Sequence, residues 1–190
     1  MKKHLKKAWN DTLEELSESR RYVFAAAILF FVFAIVGFVF SGHLTIINIL
    51  LKQIVTQVRD LSGIRLIVYI FLNNSQSALM SLVLGIGLGI VPVMNAVFNG
   101  LVIGYVLSKV FVIGGFSEVW KILPHGIFEL PAIFIALGVG MRLGTMFFDK
   151  TWRKKVGERI YRAALIFVFV ILPLLLIAAI IEGLVITFLK

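Results

Sequence analysis

Long apolar segments dominate the pattern of residues along this chain. Every position from Tyr22 to Phe40 is apolar or glycine, which makes a run of 19 residues. At about 1.5 Å per residue, a helix of that length covers the roughly 30 Å hydrocarbon core of a bilayer. A secretory signal peptide has a shorter apolar stretch and a small-residue cleavage site behind it, so we expect a retained transmembrane helix.

Four further apolar segments follow the first one, with short polar breaks between them. The sequence therefore predicts an all-α fold, a polytopic transmembrane helical bundle of five spans plus an amphipathic interfacial helix. We expect a single bundle over residues 22–189, preceded by a cytoplasmic N-terminal helix over residues 1–21. The predicted spans are residues 22–40, 75–91, 93–113, 130–148 and 163–189.

The segment over residues 45–61 has a helical periodicity of its own. Its apolar side chains recur three and four positions apart, and its polar side chains fall between them, as in an amphipathic helix. Such a helix on the outer surface either lies flat in the membrane interface or offers a docking face to a partner protein. Both interpretations stay open at the level of the sequence.

Asn73 and Asn74 open a stretch of five polar residues before the next long apolar run. One helix from Leu66 to Val91 would be about 39 Å long, which is more than the hydrocarbon core requires. We therefore predict a break at the two asparagines. One of them would then cap the second span at the outer boundary of the membrane.

The composition excludes a free-standing soluble protein. Hydrophobic residues make up 60% of the chain and charged residues only 15%, whereas soluble domains have about 25% charged residues. The chain has no cysteine, which excludes disulfides, a thiolate nucleophile and a cysteine-based zinc site.

The distribution of basic residues predicts the orientation, because short cytoplasmic segments carry the excess of Lys and Arg. With the N-terminus in the cytoplasm, thirteen of the 19 Lys and Arg residues lie on the cytoplasmic side and six on the other. We therefore expect a multi-pass protein of the cell membrane with a cytoplasmic N-terminus and an extracytoplasmic C-terminus. The net charge of +9 then points to anionic lipid headgroups on the cytoplasmic side and not to nucleic acid.

Polar residues in or beside the spans are functional candidates, because ionisable groups are costly in lipid. In this orientation one set of them gathers at the extracytoplasmic side. Its members would form a structural hydrogen-bonded cluster, a substrate or ion site, or a catalytic or metal site. They are Asn73, Asn74, Lys109, His125, Glu129 and Glu182.

His125 and Glu129 have the i, i+4 spacing that suits two ligands of one metal ion on a helix. Glu182 would supply the third ligand that a zinc site normally has. Pro131 favours a different local structure, a kink or a re-entrant turn with the helix restarting near Leu130. No cofactor is required by the sequence, and zinc or another divalent ion fits these three side chains.

A second set of residues indicates close packing between helices. Asn95 and Asn99 lie one turn apart in the third span, where interhelical hydrogen bonds are expected. The pairs Gly100 with Gly104 and Gly140 with Gly144 have the four-residue spacing that lets two backbones approach. The same spacing is compatible with a homo-oligomer.

Several of these motifs together resemble the stage II sporulation protein M family, over roughly residues 22–188. The specific part is Pro124-His125-Gly126 with Glu129 after it. The other matching elements are Phe71-Leu72-Asn73-Asn74, Asn99-Gly100 with Gly104, the small-residue helix through Gly144, and Ala178 to Glu182. The resemblance implies a polytopic membrane protein that holds a peptidoglycan-degrading complex in spore formers, and a shared fold elsewhere.

Three functions follow as hypotheses. The preferred one is a non-enzymatic membrane scaffold that recruits extracytoplasmic partner proteins of the cell envelope. The alternative is a membrane transporter, or an ion- or metal-binding membrane protein, that uses the outer His, Glu and Asn side chains. An intramembrane metalloenzyme with His125, Glu129 and Glu182 as ligands is the third.

Overall fold

The computed structural model describes residues 2–58, 61–149 and 152–188. Within these ranges it places all side chains except those at positions 2, 55, 117–125, 152 and 186–188. Met1, Arg59, Asp60 and the C-terminal Lys190 belong to the predicted segments but lie outside the described residues. The described chain is helical almost throughout and has no strand.

Six α-helices follow one another in the described residues. A short 3₁₀ turn, Met146–Phe148, follows α4, and a π-helical segment, Phe167–Ile171, joins α5 to α6. The helices are α1 Lys2–Val39, α2 Thr45–Val58, α3 Gly63–Gly85, α4 Ile90–Thr145, α5 Trp152–Ile166 and α6 Leu172–Phe188.

Five segments of the described chain are long and apolar enough to cross a membrane, which confirms the predicted polytopic all-α bundle. α2 is a shorter apolar helix within the predicted amphipathic segment. The five segments are Lys3–Val39, Gly63–Gly85, Ile90–Phe116, Gly126–Phe148 and Arg153–Val185.

The charged N-terminal segment and the first span form one helix. α1 has 38 residues and is therefore about 57 Å long, which is well beyond the thickness of the hydrocarbon core. We call residues 2–21 of α1 the stem. The stem lies at the same end of the bundle as the C-terminal end of α4 and the N-terminal part of α5. We call this end the charged end and the opposite one the far end.

The predicted break at Asn73 and Asn74 is wrong, because α3 runs without interruption from Gly63 to Gly85. The buried face of α3 continues at helical spacing across the polar stretch, through Ile70, Ala78 and Leu82. Packing on that face keeps the helix intact. Asn73 therefore lies about 15 Å along the helix from Gly63, inside the second span and not at its boundary.

The chain reverses direction within α4 at Gly115, which has φ 65° and ψ −151°. Such a conformation is open to glycine and costly for residues with a Cβ atom. The first arm of α4, residues 90–114, contains most of the third span, and the second arm, residues 116–145, contains most of the fourth. The second arm passes Pro131 as a continuous helix, so the predicted re-entrant turn with a restart near Leu130 is wrong, and the predicted kink stays a prediction.

The second arm of α4 is at the centre of the bundle. Its Ala132, Ala136 and Val139 are buried among side chains of α3, α5 and α6, while Leu137 packs towards α1 and the first arm. The last span changes from α to π helix at Phe167–Ile171, directly before Pro173. A proline cannot donate its backbone hydrogen bond, and a π segment is one way for a helix to absorb that loss.

The predicted packing glycines lie where backbones come close together. A Cβ atom at Gly100 or Gly104 would overlap backbone carbonyl oxygens of α1. A Cβ atom at Gly140 or Gly144 would overlap the backbone of α3 or of the turn after it. At these glycines, the backbones of α1 and α3 therefore pack closely against the two arms of α4.

Candidate functional site

Glu129 and Glu182 are two predicted site residues that the structure brings together. Glu129 lies in the second arm of α4 and Glu182 in α6, and both side chains are half-buried. The two carboxyl groups interact electrostatically. Two interacting carboxyl groups within membrane spans are a candidate proton or ion site.

His125 lies in the helical part of α4, but its side chain is outside the described ones. The helical backbone from residue 116 to 145 does put positions 125 and 129 on one face. Among the side chains that are described, no group of three His, Asp or Glu residues could hold a metal ion. The three-ligand zinc site with His125 therefore stays a prediction.

Of the other members of the predicted outer cluster, Asn73 and Asn74 lie on α3 and Lys109 lies on the first arm of α4. Asn73 is exposed in the middle of α3, and its amide donates a long hydrogen bond of 3.4 Å to Asn74. Lys109 is exposed on the first arm of α4, with its Nζ 5.1 Å from the centre of the Tyr105 ring, at the distance of a cation–π contact. The gathering of Asn73, Asn74 and Lys109 with the carboxyl pair in one layer stays a prediction.

A small amide cluster lies between α3 and the first arm of α4. The Asn95 amide donates a hydrogen bond of 2.6 Å to the Ser81 hydroxyl, which in turn donates to the Ser77 carbonyl at 3.0 Å. Asn99 donates to the Asn95 side chain within the same helix. Ser81 was not identified from the sequence, and Asn95 and Asn99 connect through it to a second span.

The stem contains a buried ion pair that the sequence analysis missed. Glu15 is only 1% exposed, and its Oε1 binds Arg142 at the end of the second arm of α4. The second guanidinium nitrogen of Arg142 binds Glu18, one turn further along the stem. Oε2 of Glu15 is buried and has no hydrogen-bond partner among the described residues.

Further ion pairs connect the stem to α5. Arg162 contacts Glu14 of the stem at 3.2 Å and Glu158 of its own helix at 2.7 Å. Asp149, which precedes α5, is 3.4 Å from Lys155 and 3.5 Å from Arg159. Together these pairs hold the charged end as one unit, which we call the charged cluster.

A signal for this cluster is present in the sequence. Thr12, Glu15 and Ser19 follow one another three and four positions apart, and all three are fully buried. A stripe of small side chains that includes one acidic residue is typical of a packed helix face with a basic partner. Arg142, which ends a long apolar run, is such a partner.

The far end carries an apolar surface on α2. Ile47 is buried, and Val58 packs on the cluster formed by Leu66, Ile70 and Ala179. A neighbouring face of α2 is open, and we call it the α2 face. It consists of Ile46, Ile49, Leu50 and Ile54, with exposed fractions from 37% to 61%.

The family model for Stage II sporulation protein M matches residues 26–186, which is most of the chain. The chain belongs to the stage II sporulation protein M family. No curated protein and no solved structure matches it. The five spans and the membership in this family agree on a multi-pass membrane protein.

The matched region contains the Glu129 and Glu182 pair, the amide cluster and α2, but it begins after the stem. The interactions of Glu14, Glu15 and Glu18 with α4 and α5 therefore lie partly outside it. The family assignment covers the membrane bundle, whereas the stem residues of the charged cluster lie outside the matched range.

Proposed function

We propose that this member of the stage II sporulation protein M family is a non-enzymatic membrane scaffold. The bundle holds α2 at the far end, and α2 recruits partner proteins on the extracytoplasmic side. The N-terminus lies in the cytoplasm and the C-terminus outside, in accordance with the excess of basic residues on the cytoplasmic side.

The observation that carries this proposal is the open α2 face. α2 packs only lightly on the rest of the described bundle, and Tyr69 of α3 fixes its C-terminal end through a hydrogen bond of 2.9 Å to Gln57. Ile49 and Ile54 remain exposed beside the polar Asn48 and Lys52. An apolar helix face with a polar margin is the surface that helix-in-groove recognition uses.

Photo-crosslinking from α2 tests the scaffold function. A benzophenone amino acid at Ile49 should give one discrete crosslinked protein in near-stoichiometric amount in the native membrane. The matched control is Ile28 on α1, which is equally apolar and 64% exposed but lies within the first span. With the probe kept at Ile49, the substitutions Ile46→Ser and Ile54→Ser together should abolish recovery of that protein.

If the probe at Ile49 reaches only lipid, α2 is an interfacial helix and the scaffold function is contradicted. Crosslinks between copies of this chain alone would also contradict it. A protein recovered equally from Ile28 and Ile49 would show contact with the bundle in general and not recruitment by α2.

A transporter or ion-binding protein is the second candidate, and the Glu129 and Glu182 pair favours it. Purified protein in proteoliposomes would then conduct protons or cations, and Glu182→Gln would remove the flux. Glu158→Gln at the exposed charged end is the matched control, because it also removes one carboxylate. Flux that is absent, or equal in all three proteins, contradicts this candidate.

A further inference from the structure

An open cavity of about 620 Å³ lies on the stem, beside the charged cluster. Its wall contains Arg20, Arg21 and Tyr22 of α1, Arg142 of α4 and Arg159 of α5, with Glu18 as the one acidic residue among its described lining. Three separate parts of the chain thus supply guanidinium groups to one space. We call it the arginine cavity.

The charges in the arginine cavity are incompletely balanced. Arg142 binds Glu15 and Glu18, and Arg159 lies near Asp149. Arg20 and Arg21 are exposed and have no ion-pair partner among the described residues. A guanidinium group offers paired N–H donors that match the oxygens of a phosphate, so two such groups without carboxylates leave a site for an oxyanion.

The cavity lies at the depth of lipid headgroups. Tyr22 begins the uninterrupted apolar run of the first span, and its hydroxyl is hydrogen-bonded at 3.2 Å to Thr145 at the end of the second arm. Residues 2–21 on one side of Tyr22 are rich in charge, and those on the other side are apolar. The boundary between water and hydrocarbon therefore passes through the arginine cavity.

An exposed apolar ridge continues from the two free arginines into the membrane. Phe24, Ile28 and Phe31 follow Arg20 and Arg21 at helical spacing on the same face of α1. They are 68%, 64% and 52% exposed. A soluble phosphate has no apolar group that would contact this ridge, whereas the acyl chains of a lipid would lie along it.

We propose that the arginine cavity binds the phosphate of an anionic phospholipid from the leaflet at the charged end. Arg20 and Arg21 contact the phosphate oxygens, Arg142 and Arg159 provide the positive wall, and the acyl chains pack on Phe24 and Ile28. The site is distinct from the general attraction of basic residues to an acidic surface, because it combines a cavity, two unpaired cations and an apolar ridge.

Lipid titration of the purified full-length chain in neutral detergent tests this site. Short-chain phosphatidylglycerol should raise the unfolding temperature in a saturable manner, whereas short-chain phosphatidylcholine and inorganic phosphate at equal concentration should not. The double variant Arg20→Gln/Arg21→Gln should bind phosphatidylglycerol about 30-fold more weakly, which corresponds to about 1 kcal/mol for each guanidinium–phosphate contact that is lost.

Lys6→Gln/Lys7→Gln is the matched control, because it removes the same charge from exposed positions of the same helix, away from the cavity. Its affinity should stay close to that of the parent. Arg20→Lys/Arg21→Lys should keep most of the binding, and its melting without lipid shows whether changes at these positions disturb folding. Native mass spectrometry provides a second measurement, as one retained phosphatidylglycerol per chain.

An equal shift with phosphatidylcholine would overturn the proposal, and so would an equal loss of affinity in the lysine control. Saturation by inorganic phosphate at the same concentration would assign the cavity to a soluble phosphate compound and overturn the lipid assignment. None of these outcomes depends on α2, so the scaffold function stands or falls separately.

Discussion

Removing Arg142 is the sharpest test of the charged cluster. The substitution Arg142→Met keeps the length of the side chain and removes the charge that Glu15 and Glu18 share. Glu15 is 1% exposed and cannot recover its hydration without opening the stem. Its Oε2 already lacks a hydrogen-bond partner among the described residues, so the variant would leave a buried carboxylate with its Ser19 contact of 3.4 Å alone.

The expected size of the effect follows from burial. Breaking a buried ion pair by removing one partner costs about 3 to 5 kcal/mol, because the other charge stays buried. Arg162→Met is the comparison, since its partners Glu14 and Glu158 are 56% and 60% exposed. Solvent screens such pairs, and their loss costs roughly 0 to 1 kcal/mol.

Equilibrium unfolding in mixed micelles, followed by far-ultraviolet circular dichroism, measures both variants. The double variant Glu15→Met/Arg142→Met should recover most of the lost stability, because neither charge is then buried alone. If Arg142→Met costs no more than Arg162→Met, Glu15 is hydrated in solution and the buried ion pair does not hold the stem.

Three further outcomes follow from the fold. Gly104→Ala should destabilise the bundle by about 1 to 3 kcal/mol, as overpacking does, since its Cβ would overlap a carbonyl of α1; Gly157→Ala, with open space around it, should not. Asn95→Leu should cost roughly 0.6 to 2 kcal/mol through loss of the bond to Ser81. Labelling tests the orientation, because the turn between α2 and α3 lies outside the cell in the proposed topology. In the cysteine-free chain, Ser62→Cys should therefore react with a membrane-impermeant maleimide in intact cells.

Each of these outcomes has a result that contradicts it. Equal melting of the two glycine variants would mean that α1 and α4 are further apart than the structure has them. Unchanged stability of Asn95→Leu would mean that the amide cluster contributes nothing. Asn10→Cys is the topological control, and labelling of residue 10 in place of residue 62 would reverse the proposed orientation.

The span count could be predicted from the sequence because length and hydropathy determine it locally. The run from Tyr22 to Phe40 is a helix whatever its neighbours are. The error at Asn73 and Asn74 has a physical cause, since helix continuity there depends on packing of the opposite face against α4 and α6. Asn73 and Gln76 face outward and interrupt the hydropathy pattern without interrupting the helix.

The charged cluster could not be located from the sequence because its contacts are distant along the chain. Glu15 looks like one of several acidic residues in a mixed-charge segment, and only its contact with Arg142 distinguishes it. The approach of Glu129 and Glu182 could be predicted from depth along the spans. Glu129 lies near the start of the fourth span and Glu182 near the end of the last one, and these two spans run in opposite directions. The role of Ser81 depends on the rotation of α3, which periodicity alone does not determine.

The separation of Glu15 and Arg142 has a consequence for biosynthesis. The stem leaves the ribosome well before its partner, because Arg142 is 127 residues further along the chain than Glu15, at the end of the fourth crossing. Until that crossing is inserted, Thr12, Glu15 and Ser19 face water on a helix with nothing to cover them. The stem can therefore dock only after four crossings have been inserted. Before that point, chaperones and proteases have access to the uncovered stem.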